Sequence, residues 1–195
     1  MTLSLQEVSD RLELQDLVVR YADIIDRKAF EELSSLFTNN AVIDYEATGA
    51  PKCSVDEMIA FLSEAMALFP NHQHLVSNTH FVVDGHTASG RVMCFNPMEM
   101  AVEGGTQTFI LGIWYVDEFI RVDDRWLFAS RKQEASWNLN FPSEMCGFRS
   151  LGALFHIRDA TLRPRCLAEV HFPPNTLISE LATSISESRL AVLMF

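Results

Sequence analysis

The chain has 195 residues, 26 of them acidic and 15 basic, for a formal net charge of −11. That length suits one domain with an appendage rather than two full domains, and the sign of the charge excludes a surface that tracks a phosphate backbone, so no nucleic-acid partner is expected. With 48% hydrophobic and 21% charged residues the composition is globular, and bulk disorder is excluded.

Ser4 and Glu7 form a capping-box signature ahead of Val8, Leu12, Val18, Tyr21 and Ile25, a spacing that predicts a helix of about five turns ending near Asp26. A second short helix is expected to carry Phe30, Leu33 and Phe37 on one face, with Asn39 and Asn40 breaking it before a strand in AVIDYEA. Ser54 and Glu57 repeat the capping pattern and open a third helix through Met58, Phe61, Leu62 and Met66 until Pro70 stops it. From His72 the pattern turns to strands, predicted over 74–83, 89–101, 106–122 and 125–137, with turns at Asp84-Gly85, Glu103-Gly104-Gly105 and Asp123-Asp124. Helices first and an antiparallel meander after make an α+β plan: a conical curled antiparallel sheet around three N-terminal helices, half closed, with an interior pocket.

The charge shifts near Pro142. Residues 143–195 hold five acids, five bases and no lysine, which suggests a domain over 1–142 and a C-terminal extension over 143–195. Within the extension, 163–175 reads as a proline-interrupted arm, and Leu181, Ile185 and Val192 fall near one helical face. A lid or an oligomer contact is the expected role. No apolar run reaches the length of about 18 residues that a membrane span needs. The first residues carry acids where a signal peptide needs bases. No membrane partner and a cytoplasmic location are therefore expected. Cys53, Cys94, Cys146 and Cys166 form no CxxC pair, and four free thiols are the plain expectation.

The sequence has no GxSxG elbow, GxxxxGK[ST] loop, GxGxxG or HExxH. What remains is Asp26 at the end of the first helix and His72, His74 and His80 at the start of the sheet. Equal parity on a strand puts His74, Val76, Asn78 and His80 on one face. That face is either a solvated surface or the wall of a pocket. His72 and His74 have the i,i+2 spacing of two metal ligands on a strand, but LVSNTH lacks the acid expected beside them, and no metal or cofactor is expected. Trp114, Trp126 and Trp137 read as core-filling strand aromatics, and Cys94 as an inert thiol on the neighbouring strand.

Three segments, YADIIDRKAFEELSSLFTNNAVIDY, HQHLVSNTHFVVDGHTASGRVMCFNPM and ILGIWYVDEFIRVDDRWLFASRKQEASW, together resemble the polyketide-cyclase-like (SnoaL-like) branch of the nuclear-transport-factor-2-like superfamily over about residues 5–140. The resemblance implies the conical barrel, a deep pocket between sheet and helices, and a homodimer or homotrimer. In the related scytalone dehydratase and lindane dehydrochlorinase a helix-end aspartate and a strand histidine form the catalytic pair, and the matching positions are Asp26 in IIDRK and His74 in HQHLVSN. The dehydratase tyrosine is matched by Tyr45 in IDYEA, the dehydrochlorinase arginine by Arg131, and Asn78 falls where relatives place asparagine. Departures exclude a simple transfer of mechanism. The dehydratase's second histidine falls near Met98, its helix tyrosine at Ile25, and its late-strand serine and asparagine at Ile113 and Tyr115. The ketosteroid isomerase general-base aspartate aligns with Tyr45 rather than Asp44.

An imidazole near neutral pKa is the side chain best poised to take and return a proton, and a carboxylate on its other nitrogen fixes the tautomer. The expected function is therefore a cofactor-independent lyase or isomerase acting on a hydrophobic carbonyl compound such as a polyketide or terpenoid intermediate. Asp26 and His74 are its catalytic pair, and Tyr45, Asn78, Tyr115 and Arg131 its substrate-binding groups. Each residue has a plainer reading: Asp26 as a helix-end acid, His74 as a core histidine, Tyr45 as packing, Arg131 as an ion-pair partner. The competing class is a non-catalytic ligand-binding, accessory or scaffold subunit of the same fold.

Overall fold

A computed structural model describes residues 2–102 and 104–142. The extension over 143–195, with its expected lid or oligomer contact, lies outside the described residues, as do Cys146 and Cys166. Helix α1 spans Leu5–Asp26 and α2 spans Val55–Ala65. The strands are β1 (Phe37–Asp44), β2 (Lys52–Ser54), β3 (Leu75–Asp84), β4 (Thr87–Val102), β5 (Gly105–Val122) and β6 (Arg125–Leu139). They form one unclosed six-stranded sheet in the order β2-β1-β6-β5-β4-β3.

Both helices start where a serine cap predicts. Ser4 accepts a hydrogen bond from the Glu7 amide, and at α2 the reciprocal box is complete, with Ser54 and Glu57 each serving the other's backbone N–H. Helix α1 buries Leu14, Leu17, Val18, Tyr21 and Ile25, whereas Val8 and Leu12 are exposed. The apolar stripe therefore starts two turns later than expected. Asp10 on the buried side is paired with Arg121 and receives the Trp126 indole N–H at 3.4 Å. Helix α2 packs on β1 and on the short segment Phe30–Ser35. That segment is a 3-10 helix instead of the short α-helix expected, and β1 begins at Phe37 and runs through Asn39 and Asn40, whose side chains are exposed.

The meander from β3 to β6 is antiparallel as expected, and its turns carry the predicted chemistry. Asp123 and Asp124 both take positive φ, 48° and 60°, the two-residue turn whose twist matches its strands. The sheet departs from the expected plan in one pairing, because β1 lies parallel to β6. That pairing, with β2 added to the β1 edge, carries the sheet round over α2.

Bulges set which side chains enter the interior. On β3 the register shifts between Ser77 and His80, and Asn78 there has φ 46°. The extra residue reverses the alternation, so Phe81 is buried while Asn78 and His80 are exposed. The expected single polar face from His74 to His80 therefore does not exist. On β6 a second shift opposite Glu118 and Phe119 turns Arg131 and Gln133 to the same interior as Trp126 and Phe128. Of the three tryptophans only Trp126 is core; Trp114 lies beneath the Arg91 guanidinium and Trp137 is 49% exposed.

Gly90 on β4 faces the buried rings of Phe81 and Phe119, and an added Cβ would sit 2.8 Å from each. Gly90→Ala is expected to cost about 1–3 kcal/mol by overpacking, read as a lower urea midpoint with an unchanged slope.

Candidate active site

Asp26 is the last residue of α1. The C-terminal end of a helix disfavours an acid, and burial disfavours its ionised form. Two contacts from one residue reverse both effects. His74 Nδ1 donates to Asp26 Oδ1 at 2.7 Å, and the His74 backbone N–H reaches Oδ2 at 2.9 Å and Oδ1 at 3.1 Å. Burial pushes the Asp26 carboxyl up, but these bonds from the His74 side chain and backbone outweigh it and hold the group below its ordinary range. Asp26 is thus a carboxylate at neutral pH, and its side chain is 26% exposed against 7% for His74.

Residues before β3 are pinned to the same helix end. His72 donates from Nε2 to the Ile25 carbonyl at 3.1 Å, and burial, the largest influence, lowers its pKa, so the ring is neutral. Lys28, at φ 57°, donates to the Met66 and Phe69 carbonyls at 2.9 and 2.8 Å and ties the end of α1 to the segment leaving α2. On the other side, Gln73 donates to Pro97 and Glu99 to Asn71 across to β4. His74 is therefore clamped between helix and sheet before the long ladder begins at Leu75 and Phe95.

That register sets Asn96 opposite His74, and the sequence reading did not single it out. Asn96 is 5% exposed, and its Nδ2 lies 3.2 Å from His74 Nε2. The signal that could have found it is parity: Val92, Cys94, Asn96 and Met98 share one buried face of β4, and only Asn96 among them is strongly polar.

The other expected ligand groups divide. Tyr45 and Tyr115 are buried, and the Tyr45 and Tyr21 hydroxyls are hydrogen-bonded to each other. Burial, the leading cause in each case, raises the pKa of all three phenols, which stay protonated and able to donate. The Tyr115 hydroxyl, near Cys94 and Gln133, has no well-formed hydrogen bond among the described residues. Arg131 lies in the core. Its Nε and Nη2 grip both oxygens of Asp117 at 2.8 and 2.9 Å, and its guanidinium stacks 4.0 Å from the Tyr21 ring and 4.1 Å from that of Tyr115. Burial would lower the Arg131 pKa, but Asp117 raises it further, so the charge persists while Nη1 is left without a partner among the described residues. Asn78 is not brought to the pair: it is exposed at the β3 bulge, with its amide 3.8 Å from Met93 Sδ. Cys94, buried near Arg131 and Tyr115, has its thiol pushed up to about 12 by burial and is protonated. Among the described residues no three His, Cys, Asp or Glu side chains converge as a metal-ligand set.

A family model described as a SnoaL-like domain matches residues 6–132. The chain belongs to the SnoaL-like family. This is a branch of the nuclear-transport-factor-2-like superfamily. An uncharacterized protein of Mycobacterium tuberculosis is 42% identical over 129 residues, which cover 66% of this SnoaL-like chain and 87% of the relative. A solved structure from Kribbella flavida is 26% identical with a TM-score of 0.62, covering 68% of this chain and 94% of that one. A scytalone-dehydratase-like protein of Novosphingobium aromaticivorans superposes with a TM-score of 0.62 at 20% identity, covering 82% and 96% of the two chains. A hexachlorocyclohexane dehydrochlorinase of the LinA group from Novosphingobium barchaimii gives 0.63 at 18% identity, covering 71% and 94%. At these last two identities the likeness is one of fold. Among the described residues no helix is long and apolar enough to cross a membrane.

The buried ion pair sets a stability test. Asp117→Asn leaves the Arg131 charge unpaired and is expected to cost about 3–5 kcal/mol, whereas the double variant Asp117→Leu with Arg131→Met recovers most of that loss; equilibrium urea denaturation of the three proteins distinguishes the two outcomes.

Proposed function

We propose that the protein is a cofactor-independent lyase or isomerase that moves a proton on a hydrophobic, carbonyl-bearing small molecule such as a polyketide or terpenoid intermediate. One observation carries this reading: a buried imidazole whose Nδ1 is held by a carboxylate at 2.7 Å. With the proton on Nδ1, Nε2 is the basic atom. Asp26 orients the ring and stabilises the imidazolium formed when Nε2 gives up its contact with the Asn96 amide and takes a proton from carbon. Return of that proton to a second carbon completes an isomerisation, and its delivery to a leaving oxygen completes a dehydration.

The negative charge that builds on the carbonyl oxygen needs donors that are already in place. Arg131 Nη1 and the Tyr115 hydroxyl are buried without partners among the described residues, and we assign them this role. Tyr45 is engaged with Tyr21 and supports Tyr115 from the side, with ring centroids 6.4 Å apart. Asn78 is left out of the assignment because it is exposed. The dehydratase-like and dehydrochlorinase folds among the relatives support a lyase as the reaction class. A non-catalytic ligand-binding or accessory subunit is the reading that remains if the wild-type protein moves no proton.

Proton transfer is measurable before the substrate is known. In D2O, a panel of alicyclic and aromatic ketones is expected to take up deuterium at the carbon next to the carbonyl, followed by proton NMR. His74→Ala and Asp26→Asn should slow the exchange by about 10²-fold or more with unchanged circular dichroism. Exchange at the wild-type rate in His74→Ala refutes the assignment.

We also assign the protein a homodimeric or homotrimeric state. The outer sheet face supports this, because Leu75, Phe95, Gly112 and Trp137 stand in one register row in which all three large side chains are exposed. Light scattering is expected to give two or three times the 22.1 kDa chain mass, and Trp137→Glu to reduce it.

A further inference from the structure

The hydrogen-bond chain that starts at Asp26 ends on an atom with no partner. A carboxylate only accepts, so His74 Nδ1 carries a proton, and in the neutral ring Nε2 then holds the lone pair. The group that faces Nε2 at 3.2 Å must then be the amide nitrogen of Asn96, because the opposite orientation would set two acceptors against each other. Asn96 Oδ1 is thereby turned away from the ring. It is buried, on a side chain only 5% exposed, and has no hydrogen-bond partner among the described residues. A buried amide oxygen without a donor is costly and calls for an explanation.

The neighbours on this face cannot supply the donor. Cys94 and Met98, two residues to either side on β4, are buried with it, and neither a thiol nor a thioether is a strong donor. Besides His72 Nδ1, an acceptor because Nε2 of that ring donates to Ile25, the buried unpartnered groups near Cys94 are Arg131 Nη1 and the Tyr115 hydroxyl. Both can donate. The interior thus offers donors at the Arg131 end and an acceptor beside His74, and a complementary ligand has the reverse polarity.

We propose that Asn96 is the specificity-determining residue of this site, its Oδ1 accepting a hydrogen bond from a hydroxyl group of the ligand and holding that hydroxyl next to the amide whose nitrogen faces His74 Nε2. This rests on the reading of Asp26 and His74 as the site, and it narrows the ligand from a carbonyl compound to one that carries a hydroxyl near the carbon that His74 addresses. A site built to pair a hydroxyl rejects the analogue that lacks it, because the protein acceptor is then left buried and alone.

The test uses the full chain and two probes that share a ring system, 2-naphthol and 2-methoxynaphthalene, with affinities read from tryptophan fluorescence. Wild-type protein is expected to bind the naphthol about tenfold or more tightly than the methyl ether. Asn96→Leu, similar in size and without an acceptor, should erase the preference. Asn96→Ala replaces the leucine variant if that one does not fold. A preference that survives in Asn96→Leu, or wild-type protein that shows no saturable binding of 2-naphthol, overturns the proposal. Ketone exchange separates the two readings. A hydroxyl preference that survives in Asn96→Leu, in a protein whose exchange depends on His74, removes only the role of Asn96. A preference that depends on Asn96 in a protein whose exchange ignores His74 removes only the catalytic reading.

Discussion

The contact between Asp26 and His74 is the constraint around which the rest is arranged. An acid in the last turn of a helix is opposed by the helix dipole, and partial burial opposes its charge as well. The carboxylate persists because one residue supplies both a ring N–H and a backbone N–H to it. The same contact fastens the start of the sheet to the end of α1. His72 on Ile25 and Lys28 on the Met66 and Phe69 carbonyls hold the surrounding backbone so that the geometry does not depend on one bond.

Around this contact the interior keeps polar groups that a purely structural core would exclude. Arg131 and Asp117 form a fully buried pair, and such pairs seldom stabilise more than well-packed apolar residues do. Arg131 Nη1, the Tyr115 hydroxyl and Asn96 Oδ1 are buried without partners among the described residues. Each works against stability, and such departures from local rules are expected where a protein handles a ligand. The aromatic shell of Tyr21, Phe37, Phe128 and Phe119 provides compensating packing directly beside the charged pair.

Membership of the SnoaL-like family accounts for the architecture and leaves the chemistry to the interior side chains. The dehydratase-like and dehydrochlorinase structures share the fold at 20% and 18% identity. A curled sheet over helices encloses whatever side chains its inner face carries, so one fold can hold different polar groups among the same kind of apolar neighbours.

Much was legible in the sequence. Ser4 and Ser54 set the helix starts because a cap is a local hydrogen bond, and Asp123-Asp124 closed a hairpin because positive φ at two successive residues is a local backbone requirement. Asp26 and His74 were visible as residues through their resemblance to the family's pair, and Tyr45, Tyr115 and Arg131 through the same route or as strand residues suited to donate. Their partners were not visible. Asn78 at φ 46° reverses the side-chain alternation of β3, and the shift on β6 turns Arg131 inward onto Asp117. The opposition of Asn96 to His74 and the parallel pairing of β1 with β6 depend likewise on register. A strand's sequence states which residues alternate; which of them face each other depends on bulges and on strands distant in the chain, and only the folded sheet decides that.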